Sequence, residues 1–509
     1  MFENDQNKVL EFLEKNEAEK AVDYIISFLN EDKKDYNRKI FGLHELSFIA
    51  GNYKLPMIEN TFTNKAIAKA KKLLICLKKI DITEIASSLL CCEATLENAI
   101  YKNKIRSGVN HFEAIKLHIQ KTITNYRQAL CISVNDDETY NQINNIGNSL
   151  ALTGRFVEAL DLLQINYETD PNRYQSFASW STTAEALKHY SILPDLISYD
   201  CVIAENYMKA IKLDADEIKK DEIKTDILRF EKSLSEDGIE LSEELLEQNR
   251  VEERNEFEGF SEYRQFVLTA KLSLNEHALH CFCKNAEKDN LNIGYYFGSR
   301  HVLNNDNLGT IERAFSRIKS EFSFARLLYY KYLELDKGIN PSSINYYIES
   351  DLADLKSIEN SDHEPFEYEH LRTAYRLSYS ILDKIAQILL LLYNIDPMNQ
   401  HYYFEDVFSQ FSQLTENDNQ HLYALYSISL DLSREQTDSK GALKKFKDIR
   451  NKFEHDILFI HEEPSDIENG EINKDEFIQY LQDLLKLTRA AIFSATFLVR
   501  IETIVEKND

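Results

Sequence analysis

The sequence predicts an all-α protein in which N-terminal helical repeats precede a C-terminal antiparallel bundle of four helices. Glycine and proline, which weaken or break helices, number only 13 and 7 in 509 residues. Proline is absent between Pro56 and Pro171 and again between Pro194 and Pro341. Apolar residues recur at helical spacing, whereas the strict alternation that is typical of half-buried strands is not sustained. These three observations favour helices along the whole chain.

The composition excludes some classes of function. At this length two to four domains are expected, and 43% apolar residues suffice to fill their cores. The formal net charge of −26 repels polyanions at long range. A general nucleic-acid coat protein is therefore excluded, because such binding needs clustered Lys and Arg. A local basic patch is still compatible with this charge.

The termini and cysteines are those expected of a cytoplasmic protein. Residues 1–20 are acidic and lack the apolar segment of a secretion signal. The longest apolar run, 385–393, is too short to cross a bilayer. Seven cysteines, an odd number in a large chain, suit free thiols in a reducing compartment. We therefore expect a cytoplasmic location and no membrane partner.

The clearest repeat unit spans residues 143–171. Gly147 and Ala159 are small residues at the positions where two antiparallel helices approach, and Pro171 follows the end of the second helix. The unit resembles a tetratricopeptide repeat at nearly every signature position, with Asn166 standing where that family prefers a small apolar residue. One repeat cannot bury its own face, so neighbours are required. Looser helix pairs are predicted on both sides, 86–100 with 114–132 and 178–190 with 196–213. A generic helical bundle is the alternative.

The middle of the chain predicts a connection between two parts. Residues 214–256 are highly charged but keep helical spacing, which indicates solvent-facing helices and a hinge. A strong helix follows at 311–335, and the polar run 357–365 suggests a boundary. We therefore expect a repeat region at 1–215, a connecting helical region at 216–360 and a bundle at 361–509.

Four helices can be drawn in the last of these regions, and their short connections favour an antiparallel bundle. They are predicted at 369–393, 421–434, 441–461 and 474–505. The apolar stripe of the first consists of Leu371, Tyr375, Ser378, Leu382, Ile385, Leu389 and Leu392. The third directs Leu443, Phe446, Phe453, Ile457 and Ile460 inward. The fourth buries Phe477, Leu481, Leu484, Ala491, Ala495 and Leu498.

The third helix contains an R-x4-H motif, which runs from Arg450 through Asn451 to His455. The motif lies on the third helix of a C-terminal bundle, and segments 379–384 and 487–491 also carry a family likeness. Together these features resemble a HEPN ribonuclease, in particular a bacterial subfamily whose HEPN domain is fused to tetratricopeptide-like repeats. The resemblance covers about the last 150 residues well and the whole architecture more loosely.

The residue types in the motif suit RNA cleavage, because RNA supplies its own nucleophile in the 2′-hydroxyl. His455 can act as general base or acid near neutral pH. Arg450 can hold the phosphate and its developing charge. Asn451 lies four residues before His455 and can orient the imidazole or the substrate. These three are the predicted catalytic residues.

Arg450 and His455 lie about 140° apart around an ideal helix, so neither easily completes a site with the other alone. The resemblance implies an answer, since HEPN domains usually form two-fold dimers that bring both motifs into one cleft. It also implies metal-independent transesterification that leaves a 2′,3′-cyclic phosphate and a 5′-hydroxyl. No cofactor is implied, and a homodimer through the C-terminal bundle is expected.

Further polar residues surround the motif in the sequence. The predicted RNA-binding patch consists of Lys444, Lys445, Lys447 and Lys452. On the first bundle helix, Arg372, Arg376 and Asp383 share a polar side, which either supports the motif or is an ordinary solvated face.

Two apparent metal sites are set aside. The segment 465–477 echoes half of an EF-hand loop, but Ile467 stands at a ligand position, so a turn is expected instead. His277, His280, Cys281 and Cys283 lack a second ligand pair and are interpreted as a buried structural cluster in a helix. No metal is therefore predicted.

The function predicted from the sequence is that of an intracellular endoribonuclease effector, a toxin or anti-phage defence protein by family analogy. The repeat region would bind a protein partner or trigger, and RNA would be the substrate. A non-catalytic interaction scaffold with a dimerising bundle is the main alternative. A nucleotide-binding HEPN module regulated by a nucleotidyltransferase is a third.

Overall fold

The computed structural model describes most of the chain and divides it into two compact units. The described residues are 2–15, 17–31, 36–52, 60–78, 86–133, 135–190, 197–213, 217–236, 242, 244, 246–247, 256–294, 307–336, 368–396, 402–433, 443–461 and 464–503. The first unit consists of Met1–Asn249 with Thr415–Asp431, and the second of Arg250–Leu414 with Leu432–Asp509. The predicted boundary at 357–365 lies outside the described residues.

The structure is almost entirely helical where it is described, as predicted. The described residues before 250 include α1 (Phe2–Glu14), α2 (Ala18–Glu31), α3 (Tyr36–Asn52), α4 (Asn60–Leu77), α5 (Ala86–Arg106), α6 (His111–Ala114), α7 (Gln120–Cys131), α8 (Asp136–Leu152), α9 (Phe156–Thr169), α10 (Tyr174–Lys188), α11 (Ile197–Lys212) and α12 (Glu217–Glu236). The later helices are α13 (Glu262–Thr269), α14 (Leu308–Asp336), α15 (Tyr368–Leu392), α16 (Val407–Gln410), α17 (Gln420–Leu432), α18 (Lys444–His455) and α19 (Lys474–Thr503). A π-helical turn, Ile115–Ile119, joins α6 to α7.

The predicted repeat unit is a pair of packed helices, α8 and α9. A Cβ atom placed on Gly147 would lie 2.8 Å from Leu163, so the glycine lets the two helices approach closely. Asn166, the departure from the repeat pattern, is buried, and its amide donates to the Tyr140 carbonyl at 3.1 Å and to the Ser176 hydroxyl. The polar residue is tolerated there because both amide hydrogens find acceptors.

Both predicted neighbouring helix pairs are present in the first unit. Helices α5 and α7 pack side by side, and α10 packs on α11 through the Ser181 hydroxyl, which donates to the Ile203 carbonyl at 3.2 Å. Helices α1 to α4 extend the array toward the N-terminus around a core that they share with α5, in which Ala21, Val22 and Leu46 are fully buried. The predicted helix pairs are therefore present, while their assignment as tetratricopeptide-like repeats stays a prediction.

The second helix predicted for the C-terminal bundle exists as α17 but belongs to the first compact unit. The division into compact units therefore separates it from the other three predicted bundle helices. The sequence prediction relied on short connections alone. A buried carboxylate needs a cationic partner, and Arg127 and Arg155 of the first unit supply it to Asp431 on α17.

The second unit is a bundle in which α15 packs against α14, α18 and α19. The apolar stripes predicted for the first and fourth bundle helices are confirmed, since each of their members is buried. Helix α14, which the sequence assigned to a connecting region, packs along α15 instead. The compact units thus divide the chain differently from the domain boundaries predicted at 215 and 360.

The motif helix ends earlier than predicted, at His455 rather than near 461. Strand β1 (Phe459–His461) follows it and pairs in parallel with β2 (Glu471–Asn473). The prediction that Ile457 faces inward is wrong, because its side chain is 71% exposed. The run of β-branched and aromatic residues from Ile457 favours a strand over a helix. A turn with Gly470 at φ +87° leads into β2, which pairs with that strand. The turn expected at 465–477 in place of a calcium loop is thus present, together with β2.

Residues 256–294 also belong to the second unit, where buried arginines fasten them to its long helices. Arg489 of α19 donates to the Ser273 carbonyl at 2.9 Å, and Arg500 pairs with Glu276 at 2.7 Å. Arg326 of α14 pairs with Asp289 at 2.8 Å. None of the described helices is long and apolar enough to cross a membrane.

Candidate active site on the motif helix

The motif helix α18 is held by aromatic packing on its apolar side. Phe446 and Ile449 are buried, and the Tyr375 hydroxyl of α15 donates to the Phe446 carbonyl at 2.9 Å. The ring of Phe453 contacts Phe477 of α19 edge to face, with centroids 5.2 Å apart. Since the ring contacts fix the rotation of α18, they also fix which of its polar residues face the bundle.

Arg450 faces the bundle, where its guanidinium lies between two tyrosine rings. The ring centroids of Tyr379 and Tyr403 are 5.3 and 5.5 Å from the guanidinium carbon. The side chain is only 12% exposed, and its ion pairs with Asp383 at 3.5 Å and Glu454 at 3.4 Å are long. A cation stacked on aromatic rings but only loosely bound by carboxylates can still accept a stronger anion.

Asp383 is a residue of α15 that lies beside Arg450, in an environment that disfavours the charged form of its carboxyl. Burial raises the pKa of its carboxyl to about 6, against the opposing hydrogen bond from the Phe404 amide. The nearby charge of Glu405 raises that pKa further, and the charge of Arg450 lowers it. Asp383 therefore gains or loses its proton near pH 6, and the negative charge beside Arg450 changes with it.

Glu405 is the second carboxylate of the site, and it is fully buried in the bundle. Its side chain is 1% exposed and forms an ion pair with Lys447 of the motif helix. The Tyr379 hydroxyl also donates to it at 3.4 Å. Glu405 thereby links the motif helix to the same tyrosine that stacks on Arg450.

His455 and Asn451 occupy different surroundings from Arg450. His455 is exposed at the last position of α18, and it forms no hydrogen bond or ion pair within the described part of the chain. Asn451 accepts a hydrogen bond from Arg450 at 2.9 Å. The structure thus brings Arg450, Asn451 and Asp383 together and leaves the imidazole open to solvent at the helix end.

The predicted RNA-binding lysines are not an open basic patch. Each of them forms an ion pair with a carboxylate: Lys444 with Asp448, Lys445 with Glu476, Lys447 with Glu405, and Lys452 with Asp456. Lys445 is the most exposed of the four, at 61%. Acidic neighbours therefore offset much of the positive charge that the sequence suggested.

Of the three polar residues predicted on the first bundle helix, only Asp383 contacts Arg450. Arg372 pairs with Glu369 and donates to the Leu458 carbonyl at 3.3 Å, which fastens the chain before β1. Arg376 is half-buried and makes no polar contact with the described residues. Asp383 is therefore more than a residue of an ordinary solvated face, because its side chain is only 20% exposed and pairs with Arg450.

Sequence reasoning missed Tyr403 and Glu405, which complete the surroundings of Arg450 and Lys447. Both lie between the first and second predicted bundle helices, in a segment without helical periodicity. No local pattern ties that segment to the motif, because its contacts depend on the tertiary packing. Tyr379 was noted only as part of a family-like segment.

The histidines and cysteines at 277–283 lie in and after a 3₁₀ turn, His277–Leu279, rather than in an α-helix. His277 and Cys281 are buried as expected, His280 and Cys283 are partly exposed, and the Cys283 amide donates to the Cys281 sulfur at 3.1 Å. Across the described ranges, no group of three or more His, Cys, Asp or Glu could hold a metal ion.

The comparisons with known proteins bear on this unit. No curated protein and no solved structure is significantly similar to the chain. The LA2681-like HEPN family matches residues 302–502, which include α14, α15, α18 and α19 and contain the whole motif. HEPN domains are generally ribonucleases. The C-terminal region of this chain, residues 302–502, is therefore an LA2681-like HEPN domain.

Proposed function

We propose that the HEPN domain is a metal-independent endoribonuclease with Arg450, Asn451 and His455 as its catalytic residues. In this reaction the 2′-oxygen of RNA attacks the neighbouring phosphorus, and the bond from phosphorus to the 5′-oxygen breaks. The products are a 2′,3′-cyclic phosphate and a 5′-hydroxyl. The observation that carries the proposal is the R-x4-H motif on a helix of a HEPN domain, with an anion-accepting arginine and an exposed histidine.

The histidine moves the protons in this proposal. One imidazole takes the proton of the 2′-hydroxyl, and an imidazolium gives a proton to the departing 5′-oxygen. Exposure of His455 at the end of α18 supports this role, because the described residues do not block access of an RNA strand to its ring.

Arg450 stabilises the phosphate as negative charge develops on its oxygens. Its guanidinium is positioned by Tyr379 and Tyr403, so little order has to be gained when the phosphate binds. The phosphate would replace the long contacts to Asp383 and Glu454 with shorter, charge-assisted hydrogen bonds. Asn451, already bonded to Arg450, would keep the guanidinium in this orientation.

The site is completed by a second copy of the chain. Arg450 points into the bundle, whereas His455 is exposed at the end of the helix. The two residues are five positions apart, which corresponds to about 7.5 Å along the axis of an ideal helix. A two-fold dimer through the HEPN bundle would place the exposed imidazoles of both copies in one cleft, as the family resemblance implies. RNA would bind across that cleft, with Lys445 and Lys452 at its edge.

The helical-repeat region is proposed to bind a protein partner or trigger that controls cleavage, as stacked repeats commonly provide binding surfaces. Such an effector would serve as a toxin or in anti-phage defence, a role that rests on family analogy. The competing function is a non-catalytic scaffold. The ion-paired lysines of α18 favour that alternative, since they weaken the basic patch.

Incubation of the purified full-length chain with total cellular RNA in the presence of EDTA tests the proposal. Cleavage is expected, with cyclic-phosphate and 5′-hydroxyl ends, and Arg450→Ala should slow it by roughly 10²-fold or more. Arg313→Ala, an exposed arginine on α14, is the matched control and should cleave normally. If the wild-type chain leaves the RNA intact, the scaffold function takes its place.

A further inference from the structure

Two cysteines that take no part in the proposed ribonuclease site contact each other in the second compact unit. Cys281 is buried, at 2% exposure, whereas Cys283 is partly exposed. The Cys283 amide donates to the Cys281 sulfur at 3.1 Å, and a hydrogen bond also joins the two side chains. The two sulfur atoms therefore lie in contact, and one of them is open to solvent.

The loop that carries these cysteines is fixed by buried polar contacts. Asn275 is fully buried, and its amide nitrogen donates to the Asn285 carbonyl at 2.7 Å while its oxygen accepts from the His277 amide at 2.8 Å. Glu276 pairs with Arg500 of α19 at 2.7 Å. Because the loop is closed at its base and fastened to a long helix, the side chains within it hold their relative positions.

Three hydrogen-bond donors converge on the sulfur of Cys283. The hydrogen bond from the Cys281 thiol has the largest effect and lowers the pKa of Cys283. Burial raises that pKa, whereas hydrogen bonds from His277 and from the Asn285 amide lower it, and the result is a pKa of about 4. Cys283 is therefore a thiolate at neutral pH, which is the nucleophilic form of a cysteine.

A second pair of cysteines shows that proximity alone does not produce a thiolate. Cys91 and Cys92 are adjacent in α5, but burial raises the pKa of Cys91 to about 11 and raises the pKa of Cys92 as well. Both thiols therefore keep their protons at neutral pH and are unreactive. The hydrogen-bond donors around Cys283 distinguish it from such structural thiols.

We infer that Cys283 and Cys281 form a thiol pair that reduces hydroperoxides, with Cys283 as the attacking sulfur and Cys281 as the thiol that resolves the product. In the first step the Cys283 thiolate attacks one peroxide oxygen and becomes a sulfenic acid. The oxygen–oxygen bond breaks, and the departing hydroxide or alkoxide takes a proton from solvent. In the second step the Cys281 sulfur attacks the Cys283 sulfur, the sulfur–oxygen bond breaks, and hydroxide leaves with the Cys281 proton as water. Both sulfurs are thereby oxidised to a disulfide, and the peroxide is reduced to water, or to an alcohol and water.

The positions of the two residues allow this disulfide. The Cα atoms of residues two positions apart are separated by at most about 7 Å, and the contact of the Cys283 amide with the Cys281 sulfur shows that the chain bends here. Disulfides span roughly 4.4–6.8 Å between Cα atoms. The exposure of Cys283 lets a peroxide reach it, whereas Cys281 is shielded. This inference goes beyond the proposed ribonuclease and does not depend on it.

The first test is alkylation of the reduced full-length protein by iodoacetamide at pH 5, followed by mass spectrometry of each cysteine peptide. An ordinary thiol with a pKa of about 8.5 is roughly 3,000-fold less ionised at this pH than Cys283. The weaker nucleophilicity of a low-pKa thiolate offsets about 10²-fold of that difference. We therefore expect Cys283 to be alkylated at least about tenfold faster than the exposed Cys76 and Cys131.

The second test adds hydrogen peroxide to the same protein at pH 7. We expect the peptide that contains both cysteines to lose two hydrogens, and dithiothreitol to restore them. Cys281→Ser should stop at a sulfenic acid on Cys283, which dimedone captures, whereas the control Cys91→Ser should behave like the wild type. Alkylation of Cys283 no faster than that of Cys76 would overturn the inference, as would a wild-type protein that keeps both thiols in peroxide. A wild-type protein that accumulates sulfenic or sulfinic acid on Cys283 without a disulfide would overturn the role of Cys281.

Discussion

Replacing Asp383 with asparagine should stabilise the HEPN unit at neutral pH, although it removes a charge beside Arg450. The pKa of this carboxyl is raised from its ordinary 3.8 to about 6. A shift of roughly two units corresponds to about 3 kcal/mol in favour of the protonated form. Because the side chain is 20% exposed and water offsets part of this cost, we expect Asp383→Asn to raise the free energy of unfolding by roughly 1–3 kcal/mol at pH 8. Asparagine keeps an acceptor for the Phe404 amide.

The direction of the pH dependence follows from proton binding. Between about pH 4 and pH 6 the folded state binds more protons at Asp383 than the unfolded state does. The stability of the wild-type unit therefore falls as pH rises through this window, and the loss is complete above about pH 7. The advantage of Asp383→Asn should accordingly be largest at pH 8 and vanish near pH 4.

The assay has to report on the HEPN unit alone, because a chain of two units need not unfold in one step. The single tryptophan, Trp180, lies in the other unit, so pulsed hydrogen exchange in peptides from α15 and α18 is followed across a urea titration. Asp456→Asn, which removes an exposed carboxylate paired with Lys452 at 3.6 Å, is the control and should change stability by less than about 1 kcal/mol. A less stable Asp383→Asn protein at pH 8 would refute the reasoning, since it would mean that the pair with Arg450 outweighs burial.

Two further predictions concern stability and assembly. Lys447→Ala leaves the buried Glu405 without its cation and should lower the free energy of unfolding by roughly 3–5 kcal/mol. The control, Lys445→Ala, should lower it by less than about 1 kcal/mol. Hydrogen exchange in the α15 and α18 peptides across a urea titration measures both losses, and equal losses would mean that Lys447 is only a surface residue. Sedimentation should show the full-length chain as a dimer, and mixing the inactive Arg450→Ala and His455→Ala chains should restore part of the cleavage. A strictly monomeric protein that still cuts RNA would contradict the shared site.

The helices could be predicted from the sequence because their apolar residues repeat at helical spacing. The stripes of α15 and α19 need only that periodicity, and the close packing at Gly147 follows from a small residue at a helix crossing. The place of α17 could not be predicted in this way. Its periodicity gives a helix, but the unit that it joins is decided by distant residues, Arg127 and Arg155, which neutralise Asp431.

The candidate site could be predicted in part for the same reason. Arg450 and His455 were identified because the motif is local, and their different orientations follow from the geometry of one helix. The surroundings of Arg450 include Glu405 and Tyr403, which come from an irregular segment that only tertiary packing brings to α18. The end of the motif helix was also misjudged, because helical spacing and a short β-branched strand look alike over a few residues.

The central claim is that the exposed imidazole of His455 takes part in RNA cleavage, and single-turnover cleavage by His455→Ala tests it most directly. His461→Ala is the matched control, since it removes an imidazole from β1, just beyond the motif helix. A positioned acid or base contributes typically about 10²–10⁴-fold in rate, so we predict a loss of that size for His455→Ala and near-normal cleavage for His461→Ala. The His455→Ala protein should keep the wild-type hydrogen exchange of α18, because an exposed substitution changes stability by only about 0.5 kcal/mol. Near-normal cleavage by a folded His455→Ala protein would contradict the claim.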